Sequence, residues 1–164
     1  MKTLMLIRHA KSSWDDETLD DKARPLNERG LHDAPMMGQH LAERGVRADL
    51  ILTSPAVRAL RTAHIIADAI GYTRKDIIAD ERLYASSPGT LLAIIQGIDD
   101  AHQRVLIFGH NPEFTDLAHG LSRDIDEMPT CAVAEFDFKV KHWSEIGSAP
   151  PLSARLETPK SIKR

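Results

Sequence analysis

The residue types best suited to chemistry stand at the end of an apolar run near the amino terminus. Residues 4–7, Leu-Met-Leu-Ile, are followed directly by Arg8 and His9. A buried strand accommodates an arginine and a histidine only where they emerge at its end and can meet a ligand. A neutral imidazole can attack phosphorus, and a guanidinium binds phosphate oxygens through two parallel N–H groups. The pair predicts that His9 is a nucleophile and that Arg8 is one of the groups that bind a phosphoryl group.

Cationic side chains also follow two later apolar runs. Arg58 comes shortly after the run at 49–53, and His110 comes two residues after the run at 104–108. In open α/β sheets, the carboxyl ends of the strands line the ligand crevice. We therefore expect these two side chains to converge with the first pair.

The residues before Arg58 give a further indication of an anion-binding site. Ser54 as a helix cap and Pro55 as the first helical residue predict a helix that begins there, with Arg58 in its first turn. Helix amino termini favour anions. His110, when protonated, would stabilise the transferring oxygens. Because these groups already supply positive charge, we expect no metal and no other cofactor.

Each residue also has a structural interpretation. A histidine at a strand end is often only a hydrogen-bonding group, and an arginine in the first turn of a helix is often solvated. His9 and His110 could instead bind zinc, which we disfavour because basic residues, not carboxylates, adjoin them. Trp14 is interpreted as a hydrophobic plug for its loop, with substrate contact as the alternative. Cys131 is interpreted as a packed thiol.

The elements that must position these residues alternate between strands and helices. This alternation predicts an α/β fold, a three-layer α/β/α sandwich with a mainly parallel central sheet. One helix is expected from Asn27 to Gly45, either kinked at Pro35 or beginning properly near Asp33. The predicted strands span 3–7, 49–53, 76–79, 104–108, 132–140 and 152–157, and the other predicted helices 54–70, 88–98 and 112–121.

Composition excludes several classes of protein. The 164 residues, 42% hydrophobic and 27% charged, suit one domain with a sizeable core. A formal charge of −3 gives no basic surplus for nucleic acid or an anionic membrane. One cysteine allows no intrachain disulfide, and the first apolar run is too short for a signal peptide or a membrane span. The expected location is the cytoplasm.

Three motifs together resemble the histidine phosphatase superfamily, also called phosphoglycerate mutase-like. They are Leu-Ile-Arg-His-Ala at 6–10, Thr-Ser-Pro-Ala-Val-Arg-Ala at 53–59 and Gly-His-Asn-Pro at 109–112. The short chain and the segments 8–12 and 21–30 more narrowly resemble the SixA-type phosphohistidine phosphatases. The resemblance covers about residues 3–140 and implies one histidine phosphatase domain over 1–164. It implies that His9 is phosphorylated, that Arg8 and Arg58 bind the phosphoryl group and that His110 stabilises it. Further substrate-binding candidates are Lys11, Ser12 and Arg24.

One position departs from the family pattern. Many members have a glutamate general acid a few residues after an Arg-Leu pair, whereas here Arg82-Leu83 is followed by Tyr84-Ala85-Ser86. Glu81 is the nearest candidate acid, and a carboxylate of the 15–21 loop is another. An alkoxide leaving group needs a proton from the enzyme, but the imidazole of a phosphohistidine departs readily once protonated.

The expected function is therefore a metal-independent phosphatase that acts through a phosphohistidine intermediate. The favoured substrate is a phosphohistidine on a phosphorylated protein, such as a histidine phosphotransfer domain. One alternative keeps the chemistry but acts on small phosphorylated substrates, phosphoesters or nucleotides. Another is a phosphate-binding or interaction module without turnover.

Overall fold

The fold is known from a computed structural model that describes residues 1–163. Within that range, one sheet is flanked by α-helices. The strands are β1 (Lys2–Arg8), β2 (Leu50–Thr53), β3 (Ile78–Ala79), β4 (Arg104–Gly109), β5 (Val133–Phe138) and β6 (Ser153–Glu157). The helices are α1 (Glu28–Glu43), α2 (Val57–Ile70), α3 (Pro88–Gln96), α4 (Glu113–Leu121) and α5 (Pro159–Ile162).

The sheet is mainly parallel, as predicted. Its strand order is β3-β2-β4-β1-β5-β6. The first four strands in that order are parallel to one another, and β5 is antiparallel to both of its neighbours. The strands β2, β4 and β1 are adjacent, so their carboxyl ends meet at one edge of the sheet.

Both faces of the sheet are buried. Successive residues of β1 point to opposite sides, so that Leu4 and Leu6 join one apolar cluster while Met5 and Ile7 join the other. The first cluster is completed by α3 and α4, and the second by α1 and α2. This arrangement confirms the three-layer α/β/α fold and explains why the central strands are apolar without interruption. No helix within residues 1–163 has the length and apolar character needed to cross a lipid bilayer.

The helix α1 begins where its cap predicts. The side chain of Asn27 accepts a hydrogen bond from the Gly30 N–H, and the helix runs from Glu28 without a new start near Asp33. Pro35 lies inside it. A proline removes one backbone donor from a helix. The helix nevertheless continues on both sides of Pro35, because its sixteen residues pack on α2.

The helix α2 begins later than predicted. Its first residue is Val57, and Ala56 occupies the cap position without a side-chain bond. The hydroxyl of Ser54 instead accepts from the Ala56 N–H at 3.2 Å, which forms a tight local turn before the helix. The prediction that Ser54 caps the helix and Pro55 opens it is therefore wrong, because the serine hydroxyl has other partners.

Candidate active site

The three strand ends open into one cavity. Its volume is about 470 Å³, and it lies beyond the carboxyl ends of β1, β2 and β4. All four core candidates line it, as do the three further substrate-binding candidates. The lining residues are Arg8, His9, Lys11, Ser12, Trp14, Asp21, Arg24, Arg58, His110, Asn111 and Thr130.

The ring of His9 is fixed in one orientation. Its Nδ1 lies 2.6 Å from the carbonyl oxygen of Ala10. A carbonyl oxygen only accepts, so Nδ1 carries the hydrogen and Nε2 carries the lone pair. The Ala10 peptide is held in turn, because its N–H donates to Oγ1 of Thr62 on α2 at 3.0 Å. This order predisposes Nε2 to act as a nucleophile.

His9 is also kept neutral. It is 7% exposed, and this burial lowers its pKa to about 4, with smaller contributions from the charges of Arg58 and Arg8. The hydrogen bond to the Ala10 carbonyl opposes that shift only in part. At neutral pH the imidazole therefore retains the lone pair that attack on phosphorus requires.

The two arginines each have a nitrogen with no partner. Nη1 of Arg8 donates to the carbonyl of Met128 at 3.0 Å, while its buried Nε makes no hydrogen bond. Nη1 and Nη2 of Arg58 donate to Asp21 at 2.6 and 2.9 Å, and its buried Nε is likewise unpaired. Both side chains line the cavity, and a guanidinium group is well suited to bind phosphate oxygens because it stays charged and has several N–H donors.

His110 completes this set. Its Nε2 lies 2.7 Å from Oγ of Ser54, and its buried Nδ1 has no partner. That Oγ accepts from the Ala56 N–H and has its own hydrogen to donate; in the tautomer in which it donates to Nε2, the ring hydrogen lies on Nδ1. The neutral ring can thus donate to a bound oxygen.

The charge of His110 differs from the expectation. Burial, followed by the charges of His9 and Arg58, lowers its pKa to about 3, so the ring is neutral in the free protein. The positive charge expected of His110 is therefore absent from the free protein. The rings of His9 and His110 are 5.1 Å apart between centroids, and a bound phosphoryl dianion would favour the protonated form of the second ring.

The loop before α1 forms one wall of the cavity. Buried Arg24 donates to Oγ of Ser12 at 2.9 Å and to Oδ1 of Asp21 at 3.2 Å. Its guanidinium stacks at 3.4 Å on the ring of Trp14, which is 73% exposed. Trp14 is therefore not the hydrophobic plug that was expected, but an exposed aromatic surface at the cavity. Lys11 is exposed beside it.

The structure does not bring Glu81 to the cavity. Its side chain is 73% exposed and pairs with Lys22 at 2.7 Å. Among the described residues that line the cavity, Asp21 is the one with a carboxyl group. The hydroxyl of Tyr84 donates to it at 2.6 Å, and this bond, aided by Arg58, holds the pKa of Asp21 well below its usual range.

The sequence predicts Asp21 only as one of several carboxylates of the 15–21 loop that could act as an acid, and it assigns no role in this site to Ser54 or Tyr84. Asp21 stands three residues before Arg24, a spacing that signals a local ion pair but not its position against Arg58. Ser54 carried the signal of a helix cap. Within residues 1–163, no three His, Cys, Asp or Glu side chains are grouped so that they could hold a metal ion.

Comparison with known proteins identifies the family. The family model of the histidine phosphatase superfamily, branch 1, matches residues 4–93. An uncharacterized protein of Mycobacterium tuberculosis is 32% identical over 152 residues, which cover 85% of this chain and 91% of that protein. The chain belongs to the histidine phosphatase superfamily. Cavity residues Arg8, His9 and Arg58 fall inside the matched segment.

Other superfamily members are similar over different shares of their length. The SixA protein of Agrobacterium tumefaciens, a proposed phosphohistidine phosphatase, has a TM-score of 0.78 and 28% identity over 84% of this chain and 92% of its own. A protein histidine phosphatase SixA bound to tungstate has a TM-score of 0.83 over 98% and 99% of the two chains, with 21% identity. A 2,3-bisphosphoglycerate-dependent phosphoglycerate mutase of Sinorhizobium fredii is 36% identical over 62% of this chain and 48% of its own. Superfamily membership and the SixA-like neighbours support a phosphatase activity.

Proposed function

We propose that this superfamily member is a phosphohistidine phosphatase that acts through a phosphoryl group on His9. The observation that carries the proposal is that the guanidinium groups of Arg8 and Arg58 and the ring of His110 line the same cavity as the neutral, oriented imidazole of His9. These donors suit the oxygens of one phosphoryl group, with the imidazole placed for attack beside them.

The first step transfers the phosphoryl group to the enzyme. Nε2 of His9 attacks phosphorus, the new N–P bond forms, and the electron pair of the old bond leaves with the departing group. The Ala10 carbonyl holds the hydrogen of Nδ1 and so stabilises the positive charge that the ring acquires. Water then attacks phosphorus, the N–P bond breaks with its electron pair returning to Nε2 of His9, and the hydrogens of the water leave with the phosphate.

The leaving group is the basis for the choice of substrate. An alkoxide needs a proton donor, but Asp21 is ionised and Glu81 lies outside the cavity. The imidazole of a phosphohistidine departs as a neutral ring once its other nitrogen is protonated. We therefore favour a phosphohistidine on a protein, such as a phosphotransfer domain, as the substrate.

One domain over residues 1–164 and a cytoplasmic location also remain predictions.

The proposal is tested by trapping the intermediate. Wild-type protein is mixed with phosphoimidazole and quenched in alkali, in which phosphohistidine survives, and the phosphoryl group is located by mass spectrometry. We expect it on His9, and His9→Ala should reduce phosphate release by about 10³-fold or more. His32→Ala, which changes an exposed histidine of α1, is the matched control.

Three outcomes would contradict the proposal. Undiminished phosphate release by His9→Ala would remove the covalent route. Rates on phosphoserine comparable with those on phosphoimidazole would favour the small-phosphoester alternative. Release indistinguishable from buffer with every activated substrate would favour a binding module without turnover.

A further inference from the structure

A carboxylate occupies a cavity that is otherwise suited to a phosphoryl dianion. Asp21 accepts hydrogen bonds from Tyr84 at 2.6 Å, from Arg58 at 2.9 Å and from Arg24 at 3.2 Å. A fixed negative charge at this place repels phosphate, and removing it would leave the arginines free for the substrate. The side chains of Tyr84, Arg58 and Arg24 nevertheless hold the carboxylate there, which points to a contribution to the reaction that outweighs the repulsion.

The carboxylate has an aromatic neighbour. Arg24 contacts Oδ1 of Asp21 with its Nε and stacks on the ring of Trp14 with its guanidinium plane. Asp21 and Trp14 both line the cavity, and most of the surface of Trp14 stays exposed. An anion beside an open aromatic ring is a suitable site for a flat cationic group.

The proposed reaction places such a group in the cavity. Phosphoryl transfer from phosphohistidine to His9 joins two imidazoles, and the acceptor ring has the Ala10 carbonyl to hold the hydrogen on its distal nitrogen. The donor ring needs an equivalent acceptor, because only its protonated form leaves as a neutral imidazole. Resting on the function proposed above, we propose that Asp21 and Trp14 form the leaving-group subsite, with the Asp21 carboxylate accepting the N–H of the substrate imidazolium.

The proposed step balances without a proton from the enzyme. The substrate ring enters with phosphorus on one nitrogen and hydrogen on the other. Nε2 of His9 forms its bond to phosphorus as the substrate N–P bond breaks, and that electron pair stays on the departing ring. The ring leaves neutral and keeps its hydrogen, while the positive charge passes to His9. Asp21 therefore acts as a carboxylate throughout, in keeping with its three donors.

The experiment compares two substrates with different leaving groups. Phosphoimidazole carries the N–H that Asp21 would bind, whereas p-nitrophenyl phosphate has no such hydrogen. Asp21→Asn should reduce the ratio of kcat/KM for phosphoimidazole to that for p-nitrophenyl phosphate by about tenfold or more. Asp20→Asn, an exposed neighbour whose side chain caps nothing, should leave that ratio unchanged.

The outcomes separate this inference from the proposed function. If Asp21 serves only to hold Arg58, Asp21→Asn will lower both rates in proportion and leave the ratio unchanged, which would overturn the subsite. If the wild type hydrolyses p-nitrophenyl phosphate but not phosphoimidazole, the proposed function itself fails whatever the variants do.

The pH dependence of kcat gives a second readout that a structural role would not alter. The alkaline limb of kcat on phosphoimidazole reports loss of the substrate's ring proton in the bound complex. Without the carboxylate that stabilises this proton, the limb should move to lower pH by about one unit or more in Asp21→Asn. An alkaline limb at the wild-type pH would overturn the proposal.

Discussion

Ser54 and His110 form a hydrogen-bonded pair across the ends of two adjacent strands. The hydroxyl accepts from the Ala56 N–H, and when it donates its own hydrogen to Nε2 of His110, the hydrogen of the ring lies on Nδ1. The donor available to a phosphoryl oxygen thus depends on a serine that does not line the cavity. Ser54 is a positioning residue that acts through the histidine.

Ser54→Ala should lower kcat by about tenfold with a smaller change in KM. Without this hydrogen bond, the ring hydrogen of His110 can lie on either nitrogen. Nitrogen-15 NMR of the ring should show the hydrogen shared between Nδ1 and Nε2. Ser87→Ala, which removes the cap of α3, is a matched serine-to-alanine control that should lower stability but leave this spectrum unchanged. A variant with wild-type kcat and tautomer would refute the role of Ser54.

At the scale of elements, the first turn of α1 fixes the loop that carries Lys11 and Ser12. The Asn27 N–H donates to the carbonyl of Lys11 at 3.0 Å, and Gly30 packs on the same peptide. A Cβ at Gly30 would lie 2.2 Å from the Lys11 oxygen, which is backbone and cannot turn aside. The glycine is therefore required for the close approach of helix and loop.

Gly30→Ala should destabilise the protein by about 1–3 kcal/mol and lower phosphatase activity, because the loop at the cavity must move away from α1. Urea unfolding and steady-state kinetics measure the two effects. Gly120→Ala in α4 is the matched control, since nothing lies within 4 Å of its Cβ position, and it should raise stability by about 0.5–1 kcal/mol. Equal behaviour of the two variants would argue against the close contact.

At the scale of the whole molecule, the fold buries two neutral histidines at one edge of its sheet. His9 is 7% and His110 is 6% exposed, and the pKa values of both rings lie below the ordinary value. Between the folded pKa of about 4 for His9 and the unfolded value of about 6.5, the unfolded chain binds the extra proton. Stability is therefore fully present above this window and decreases as the pH falls through it.

His9→Gln removes this contribution. We expect the stability of the variant relative to wild type to shift in its favour by about 2 kcal/mol between pH 7 and pH 5, because the glutamine has no proton to bind. Urea unfolding at the two pH values measures the shift. A constant difference between the two proteins would show that His9 is not held neutral by the fold.

The sequence by itself was sufficient for the layer architecture and the family. Continuous apolar runs mark buried strands, and Asn27 marks the start of α1, since both signals depend on neighbouring residues. One topological rule is enough to predict that four side chains meet: the carboxyl ends of adjacent parallel strands lie at the same edge of a sheet. The four side chains in the cavity are Arg8, His9, Arg58 and His110.

Only the tertiary structure decided the remaining roles. The contact between Ser54 and His110 spans 56 positions, and that between Tyr84 and Asp21 spans 63. The neutrality of both histidines follows chiefly from burial, whereas Asp21 stays ionised because Tyr84 and Arg58, both distant in sequence, lower its pKa. A local pattern specifies which backbone an element adopts, but the protonation and contacts of a side chain depend on the groups that the fold packs around it.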